Sequence, residues 1–484
     1  MRNLGSEIGS IQYNAEDLCP HYYMLYFKPG WLVFMSEVPL TKNELKPHLV
    51  AVIGAGPAGL YAAQYLARAG VQVALFNRDI KPGGLAEYGI FPNKYKMRLG
   101  LRSQFNRILS HSNVRYVGNI SIGQQGDLKL DQLRDAGFQA FMVTIGAQKN
   151  HWLGLPGEDL EGVYQANDIV FHYTLHPEMA GWRPNLGQKI GIVGMGNVML
   201  DIVHYLKLQK NPRTVTAIAR RGPTEVKFDK QTLEPVASCL DLPEIRAAVD
   251  EAVPETRKIG KDVEAFYDLL AKARENAEEC DSGIDFGMKF LRSPRRILGD
   301  EQGRVKAVVF EINQLIREGD RVKSVGTGQK ETIPLDTVIF SIGSRVTDDF
   351  GLPVVHGHFV TTPEPRYPVD GISYEVYNPD LCTQCEDIFV SGWARVPGEG
   401  IVGLARKDAE RGAKAVLAYL YTLSPSALTA EQAIDKLPPV ANHLVDLDDL
   451  KRLEAVEQKK ADENGLPEYK FSTREEMLRA IEGD

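Results

Sequence analysis

Residues 48–77 read HLVAVIGAGPAGLYAAQYLARAGVQVALFN, and this stretch decides the fold. An apolar run of strand length enters a glycine-rich turn, a helical pattern follows, and a second apolar run completes a βαβ unit. Gly54 permits the tight turn out of the first strand, Gly56 lets the backbone approach a pyrophosphate, and Gly59 lets the helix pack close to the sheet. The amides of the first helical turn are left to face phosphate.

A second unit follows, KIGIVGMGNVMLD at 189–201 leading to TVTAIARRG at 214–222, with Gly194 and Gly196 in the corresponding places. One chain is therefore expected to hold two nucleotides. The expected fold class is α/β, with two Rossmann-like dinucleotide-binding domains, the second inserted into the first. The motifs TIG (144–146) and SIG (341–343) each end an apolar strand and mark the two crossings. The boundaries drawn from these signals are an N-terminal extension at 1–46, the first domain at 47–149 and 344–445, the inserted domain at 150–343, and a helical, solvated tail at 446–484. Inside the inserted domain, residues 240–280 read as solvent-facing helices. The run DFGMKFLRSPRRILGDEQGRVKAVVFEIN (285–313) alternates in the manner of antiparallel strands.

The 484 residues can form several domains, each with its own core. Five cysteines in so long a chain argue against a disulfide framework and for a reducing compartment. No apolar run is long enough to span a bilayer, since MLYFKPGWLVFM at 24–35 is broken by Lys28, Pro29 and Gly30. A cytoplasmic, soluble protein is expected. The net charge of −8 gives no whole-molecule attraction to nucleic acid, and no nucleic-acid-binding motif is present. Cys382 and Cys385 form a single CxxC pair, too few thiolates for a zinc or iron–sulfur site, so no metal is expected.

The blocks GAGPAGL, PGGLAEYGIFP, IGAQ with LGLPGEDLEGV, GMGNVMLD, ARRGP, FSIG and SGWARVPGEGIVG occur in one order. Together they resemble the adrenodoxin reductase family, which includes bacterial ferredoxin–NADP reductases and lies near the glutamate synthase small-subunit flavoproteins. The resemblance runs from about residue 48 to 480. It implies FAD on the first unit and NADP(H) on the second, with electrons passing between NADPH and a ferredoxin-like iron–sulfur protein. Two other readings stay open: an electron-input flavoprotein subunit of a larger oxidoreductase, and a flavoprotein that binds FAD structurally without turnover.

The resemblance places Gly54, Gly56, Pro57, Ala58 and Gly59 around the FAD pyrophosphate, with Asn77 and Arg78 at the ribose and Gly146 at the neighbouring strand end. Gly84, Leu85, Tyr88 and Gly89 would line the extended cofactor. Gly392, Trp393, Gly400, Ile401 and Val402 would surround the isoalloxazine, where backbone dipoles stabilise the charge of reduced flavin. For NADP(H), Gly194, Gly196, Asn197 and Val198 would meet the pyrophosphate, Gly400 would contribute from the flavin side, and His151 would stand where relatives carry an arginine. Arg220 and Arg221, just beyond the strand TVTAIA, would read the ribose 2′-phosphate.

The chain also departs from the family pattern. Asn77 replaces the glutamate that accepts from the ribose, and Met199 the third small residue of the second fingerprint. Thr232 and Pro235 stand where acids are common near the nicotinamide, and Lys94 replaces a histidine near the flavin. Trp393 and Lys94 are the candidate catalytic residues. Lys94, Lys96, Arg98 and Arg102 form the expected docking face for an acidic partner.

Overall fold

The computed structural model describes residues 47–147, 149–210, 212–277, 283–319, 321–398 and 402–483. They form two compact units: 47–82, 104–147 and 346–447 in the first; 83–103, 149–345 and 448–483 in the second. Each is an α/β domain built on a parallel sheet, with the second nucleotide-binding domain interrupting the first along the chain.

In the first unit the strands Leu49–Ile53, Gln72–Phe76, Val114–Val117 and Ala140–Val143 run parallel, and Thr383–Val390 extends the sheet beyond Ala140–Val143. The runs LVAVI and AFMV are buried along their whole length, as expected for parallel strands covered on both faces. Strand Glu375–Asn378 closes the edge as the antiparallel arm of a hairpin. Phe76, Phe141, Phe359 and Val390 belong to its core.

The second unit repeats this construction. Strand Thr337–Phe340 lies between Val163–Gln165 and Lys189–Val193, and Thr214–Ile218 and Asp285–Lys289 continue the parallel sheet. The segment DFGMK is thus parallel, against expectation: alternating burial reports which face a side chain uses and not the direction of its strand. The rest of that run is antiparallel, in a sheet of Arg292–Gly299, Val305–Glu318 and Arg321–Pro334. Helices Leu242–Lys258 and Glu264–Arg274 turn Ile245, Val249, Phe266 and Leu270 into the core. Cys239, in the same core, is disulfide-bonded, a cross-link the sparse cysteine content did not suggest.

The C-terminal residues are helical at Leu447–Glu463 and Arg474–Glu482, but they are not a solvated tail. Leu453, Phe471 and Met477 are buried, and the segment between the helices carries Glu468 and Lys470 into a buried ionic cluster.

Candidate functional sites

The first fingerprint is shaped by close backbone contacts. Gly54 has φ 101°, and its N–H donates to the Phe76 carbonyl at 2.8 Å. A β-carbon on Gly59 would lie 1.9 Å from the Gly54 carbonyl oxygen, and one on Gly54 would lie 2.7 Å from the Thr144 carbonyl oxygen. Helix Pro57–Arg68 therefore seats directly on the turn. A β-carbon on Gly56 would meet nothing within 4 Å. The start of this helix has no side-chain cap, and Pro57 occupies the first helical position. Open space above an uncapped helix start fits a phosphate group. Gly146, at φ 70°, is equally open.

Asn77 does more than the sequence suggested. It is buried, its amide oxygen accepts the Ala55 N–H at 3.0 Å, and its amide nitrogen donates to the carbonyls of Asp79 (2.8 Å) and Lys81 (3.1 Å) and to the Tyr116 hydroxyl (3.2 Å). The side chain thus holds the glycine turn from beneath, and an amide oxygen retains a second lone pair for a ribose hydroxyl. The neighbouring Arg78 is exposed and paired with Asp79 at 3.2 Å.

The turn carrying Gly392 and Trp393 packs on the same helix. Gly392 has φ 66°, and a β-carbon there would come within 2.6 Å of the Ala58 β-carbon. Asp408, on helix Val402–Leu420, clamps this turn: it accepts from the Ser391 hydroxyl (2.9 Å), the Gly392 N–H (2.7 Å) and the Tyr374 hydroxyl (3.1 Å), and it pairs with Arg395. Arg395 lies over the Tyr374 ring at 4.8 Å. The sequence reading missed Asp408, whose only signal was its place one helical stretch after SGW. Trp393 is half-buried against the core, and Val402 opens the helix. Gly400 and Ile401 lie outside the described residues.

The second fingerprint copies the first. Gly194 has φ 128°, its N–H donates to the Ile218 carbonyl at 2.9 Å, and a β-carbon on it would lie 2.0 Å from the Ser341 carbonyl oxygen. Gly196 begins helix Asn197–Gln209 without a side-chain cap, and a β-carbon on it would be in open space. Met199, at the place that Gly59 holds in the first unit, is fully buried in the core of the second. The Asn197 side chain is committed to Asp229, donating to its carboxylate at 2.7 Å and accepting its backbone N–H at 2.9 Å. Val198 is 43% exposed beside it.

Arg220 is exposed and Arg221 half-buried, and among the described residues neither has a carboxylate partner. The Arg221 Nε is buried without a hydrogen bond. Burial, and then the adjacent Arg221 charge, lower the pKa of Arg220. Two adjacent uncompensated guanidinium groups favour an anion between them. His151 is exposed and makes no hydrogen bond among the described residues.

Lys94 pairs with Asp201 at 3.2 Å. Burial raises the Asp201 pKa, and the Lys94 charge opposes that shift. Thr232 donates its N–H (2.9 Å) and hydroxyl (3.0 Å) to Asp229, while the Pro235 carbonyl accepts from Lys207 at 2.9 Å. No acid stands at Thr232 or Pro235, but Asp229 lies three residues before Thr232 and accepts its hydrogen bonds. Burial would raise the Asp229 carboxyl, but the hydrogen bonds from Thr232 and Asn197 outweigh it and keep its pKa low.

Gly84, Leu85, Tyr88 and Gly89 belong to the second unit, where Tyr88 is fully buried and Leu85 packs on the core. The expected docking face does not form as read. Arg98 pairs with Glu468, and Arg102 with Glu87 (2.8 Å) and Glu468 (2.9 Å); the four side chains are between 4% and 16% exposed. Lys470 joins them at 3.1 Å from Glu87. Helical spacing alone could not reveal that the carboxylates answering Arg98 and Arg102 turn that face inward.

Residues 48–277 match the pyridine nucleotide-disulphide oxidoreductase family. The mitochondrial NADPH:adrenodoxin oxidoreductase of Salvelinus fontinalis is 27% identical over 477 residues, covering 89% of this chain and 90% of that protein. The NADPH-ferredoxin reductase FprA of Mycobacterium tuberculosis is 26% identical over 476 residues, covering 90% of this chain and 99% of that protein. The solved structure of M. tuberculosis FprA in complex with NADPH has the same fold, with a TM-score of 0.75 at 24% identity, over 90% of this chain and 100% of that one. The likeness to these two reductases extends over about nine-tenths of the chain and takes in both nucleotide-binding units.

Proposed function

We propose that this chain is an FAD-dependent NADPH oxidoreductase that passes electrons from NADPH through FAD to a ferredoxin-like iron–sulfur acceptor. The observation that carries the reading is the pair of uncapped, open helix starts at Gly56 and Gly196, one in each unit, the second followed by two arginines that have no carboxylate partner among the described residues. FAD, when bound, accepts a hydride and releases electrons singly to an acceptor. The chain's own part is to bind, orient and exclude water.

In this reading the amides after Gly56 take the FAD pyrophosphate, Asn77 and Arg78 lie at its ribose, and the Asp408 clamp fixes the turn bearing Trp393. Gly146, Gly392 and Val402 complete the flavin surroundings within the first unit. The amides after Gly196 take the NADP(H) pyrophosphate, and Arg220 and Arg221 take its 2′-phosphate, with His151 a further phosphate ligand. Lys94, held by Asp201, is a fixed positive charge on the nicotinamide side. A cytoplasmic location is part of the same reading. Among the described residues no helix is long and apolar enough to cross a membrane.

Anaerobic stopped-flow mixing of the purified flavoprotein with NADPH tests the reading. Bleaching of the flavin band, followed by recovery on adding an oxidised ferredoxin, is the expected result. No bleaching would mean a structural flavoprotein. Bleaching without electron transfer to ferredoxin, together with co-purifying cluster-bearing subunits, would mean an electron-input subunit of a larger enzyme.

A further inference from the structure

We propose that Asn313, on the antiparallel sheet of the second unit, is a positioning residue that sets coenzyme selectivity by holding the Arg220–Arg221 turn. The proposal rests on the reading that these arginines take the 2′-phosphate. Asn313 is 3% exposed and lies 93 residues along the chain from Arg220. Its side-chain amide donates to the Arg220 carbonyl at 2.8 Å and to the Ser293 hydroxyl at 2.8 Å.

The surrounding backbone completes the grip. The Asn313 N–H donates to the Leu291 carbonyl at 2.8 Å, and the Leu291 N–H donates to the Arg221 carbonyl at 3.1 Å. The Arg292 N–H reaches the Ala219 carbonyl at 2.8 Å. Leu291 has φ 58°, a left-handed conformation costly for a branched side chain, and such outliers persist only where surrounding contacts fix them. The pairing of Val305–Glu318 with Arg321–Pro334 shifts register between Glu311 and Asn313, and a bulge of this kind re-aims a side chain. The three consecutive carbonyls of Ala219, Arg220 and Arg221 are thereby all hydrogen-bonded to Arg292, Asn313 and Leu291, which fixes the backbone that carries the two guanidinium groups.

The local acids are committed elsewhere. Glu251 and Glu331 pair with Arg292 at 2.6 and 2.9 Å, and Glu225 pairs with Lys261 at 3.0 Å. Among the described residues no carboxylate pairs with the two arginines, and the geometry of the turn is set by hydrogen bonds to its backbone. Loss of the Asn313 donor leaves the Arg220 carbonyl without that partner and lets the turn relax, which costs an interaction that needs both guanidinium groups in register far more than one that does not.

The test uses FAD-loaded protein and two probes differing only in the 2′-phosphate, adenosine 2′,5′-bisphosphate and 5′-AMP, titrated by calorimetry. Asn313→Ala should weaken the bisphosphate about tenfold and leave 5′-AMP unchanged, and the KM for NADPH should rise with little change in kcat. Asn313→Asp, which keeps the volume but removes the donor and adds a negative charge, should weaken the bisphosphate further; it decides the matter if the alanine variant does not fold. In an Arg220→Ala, Arg221→Ala background, Asn313→Ala should have no additional effect. Equal weakening of both probes, or an undiminished effect in that background, overturns the proposal. Unchanged bisphosphate binding by the double arginine variant overturns the phosphate reading itself, and this proposal with it.

Discussion

The carbonyl oxygen of Thr144 stands 2.7 Å from where a β-carbon on Gly54 would begin, and the Thr144 hydroxyl donates back to the Gly54 carbonyl at 2.9 Å. The turn of the first fingerprint is thereby locked to the adjacent strand, and Ser341 stands against Gly194 in the same way in the second unit. Two of the three fingerprint glycines in the first unit are therefore required by the protein's own packing, and Gly56 alone is left open for a ligand.

This separation gives two variants with different expected outcomes. Gly56→Val should fold, since its side chain meets no protein atom within 4 Å at the β-carbon, yet should purify without FAD because that space is needed for pyrophosphate. Gly54→Ala should be poorly folded, with overlap added to the roughly 1–2 kcal/mol cost of a left-handed conformation. Circular dichroism and the flavin-to-protein absorbance ratio check both. A Gly56→Val protein with a full complement of flavin would misplace the site.

The arginine turn predicts the coenzyme preference. Charge-assisted hydrogen bonds contribute about 1.5–3 kcal/mol each, so Arg220→Ala with Arg221→Ala should reduce the NADPH-over-NADH ratio of kcat/KM by about a hundredfold or more. The flavin content should not change. If the wild-type ratio persists, the phosphate is read elsewhere, and His151 is the next residue to replace.

Asp408 predicts flavin retention. Asp408→Asn keeps the size of the side chain but removes the charge that faces Arg395 and one of the two acceptor oxygens, of which Oδ2 takes the Ser391 and Gly392 donors and Oδ1 the Tyr374 hydroxyl. The Gly392–Trp393 turn should loosen, and FAD should dissociate at least about tenfold more readily. Fluorimetric titration of apoprotein with FAD measures this. Wild-type affinity would remove Asp408 from the site.

The Cys382 and Cys385 pair should be dispensable. Cys382 is exposed at the tip of an edge hairpin, and burial, followed by the Asp387 charge, raises the Cys385 thiol pKa, the opposite of what an activated thiolate needs. Replacing both with serine should leave NADPH-driven reduction of an artificial dye near wild type. A large loss with flavin still bound would assign the pair a redox part.

The fingerprints, the duplicated βαβ units and the two strand ends at TIG and SIG were legible because each depends on sterics within a few residues. Gly54 and Gly194 take positive φ and Gly59 meets the Gly54 carbonyl oxygen, all within their own turn, and Thr144 and Ser341 add contacts from distant strands. Asn313 and Asp408 were not legible: one answers a carbonyl 93 residues away, the other clamps a turn that only folding brings beside it. From the sequence Asn77 is only a replacement for the ribose-binding glutamate, because the sequence does not show that Ala55 and Tyr116 surround it. The C-terminal segment was misread for a related cause. Its charge density suggested solvent, yet Glu468 meets Arg98 across 370 residues, and a charge buried with its partner carries the same letter as a charge in water.

That buried pairing predicts how the second unit responds to acid. Burial alone would raise the Glu468 carboxyl, but the hydrogen bond and charge of Arg98, with the charges of Arg102 and Lys470, overcome it and hold its pKa below the ordinary value. A carboxyl whose pKa is lower in the folded than in the unfolded chain contributes stability fully above its unfolded value, about 4.3, and loses it as the pH falls through the folded value. Glu468→Gln should therefore lower the unfolding midpoint by several degrees near neutral pH, because Arg98 and Arg102 stay buried with less compensation. The gap between variant and wild type should hold steady from about pH 8 down to about pH 5.5 and narrow only below about 4.3. Thermal scans across that range read the gap directly. A gap absent at pH 7 would mean that the cluster adds no net stability, and one unchanged down to pH 3 would mean that Glu468 acts by shape and not by charge.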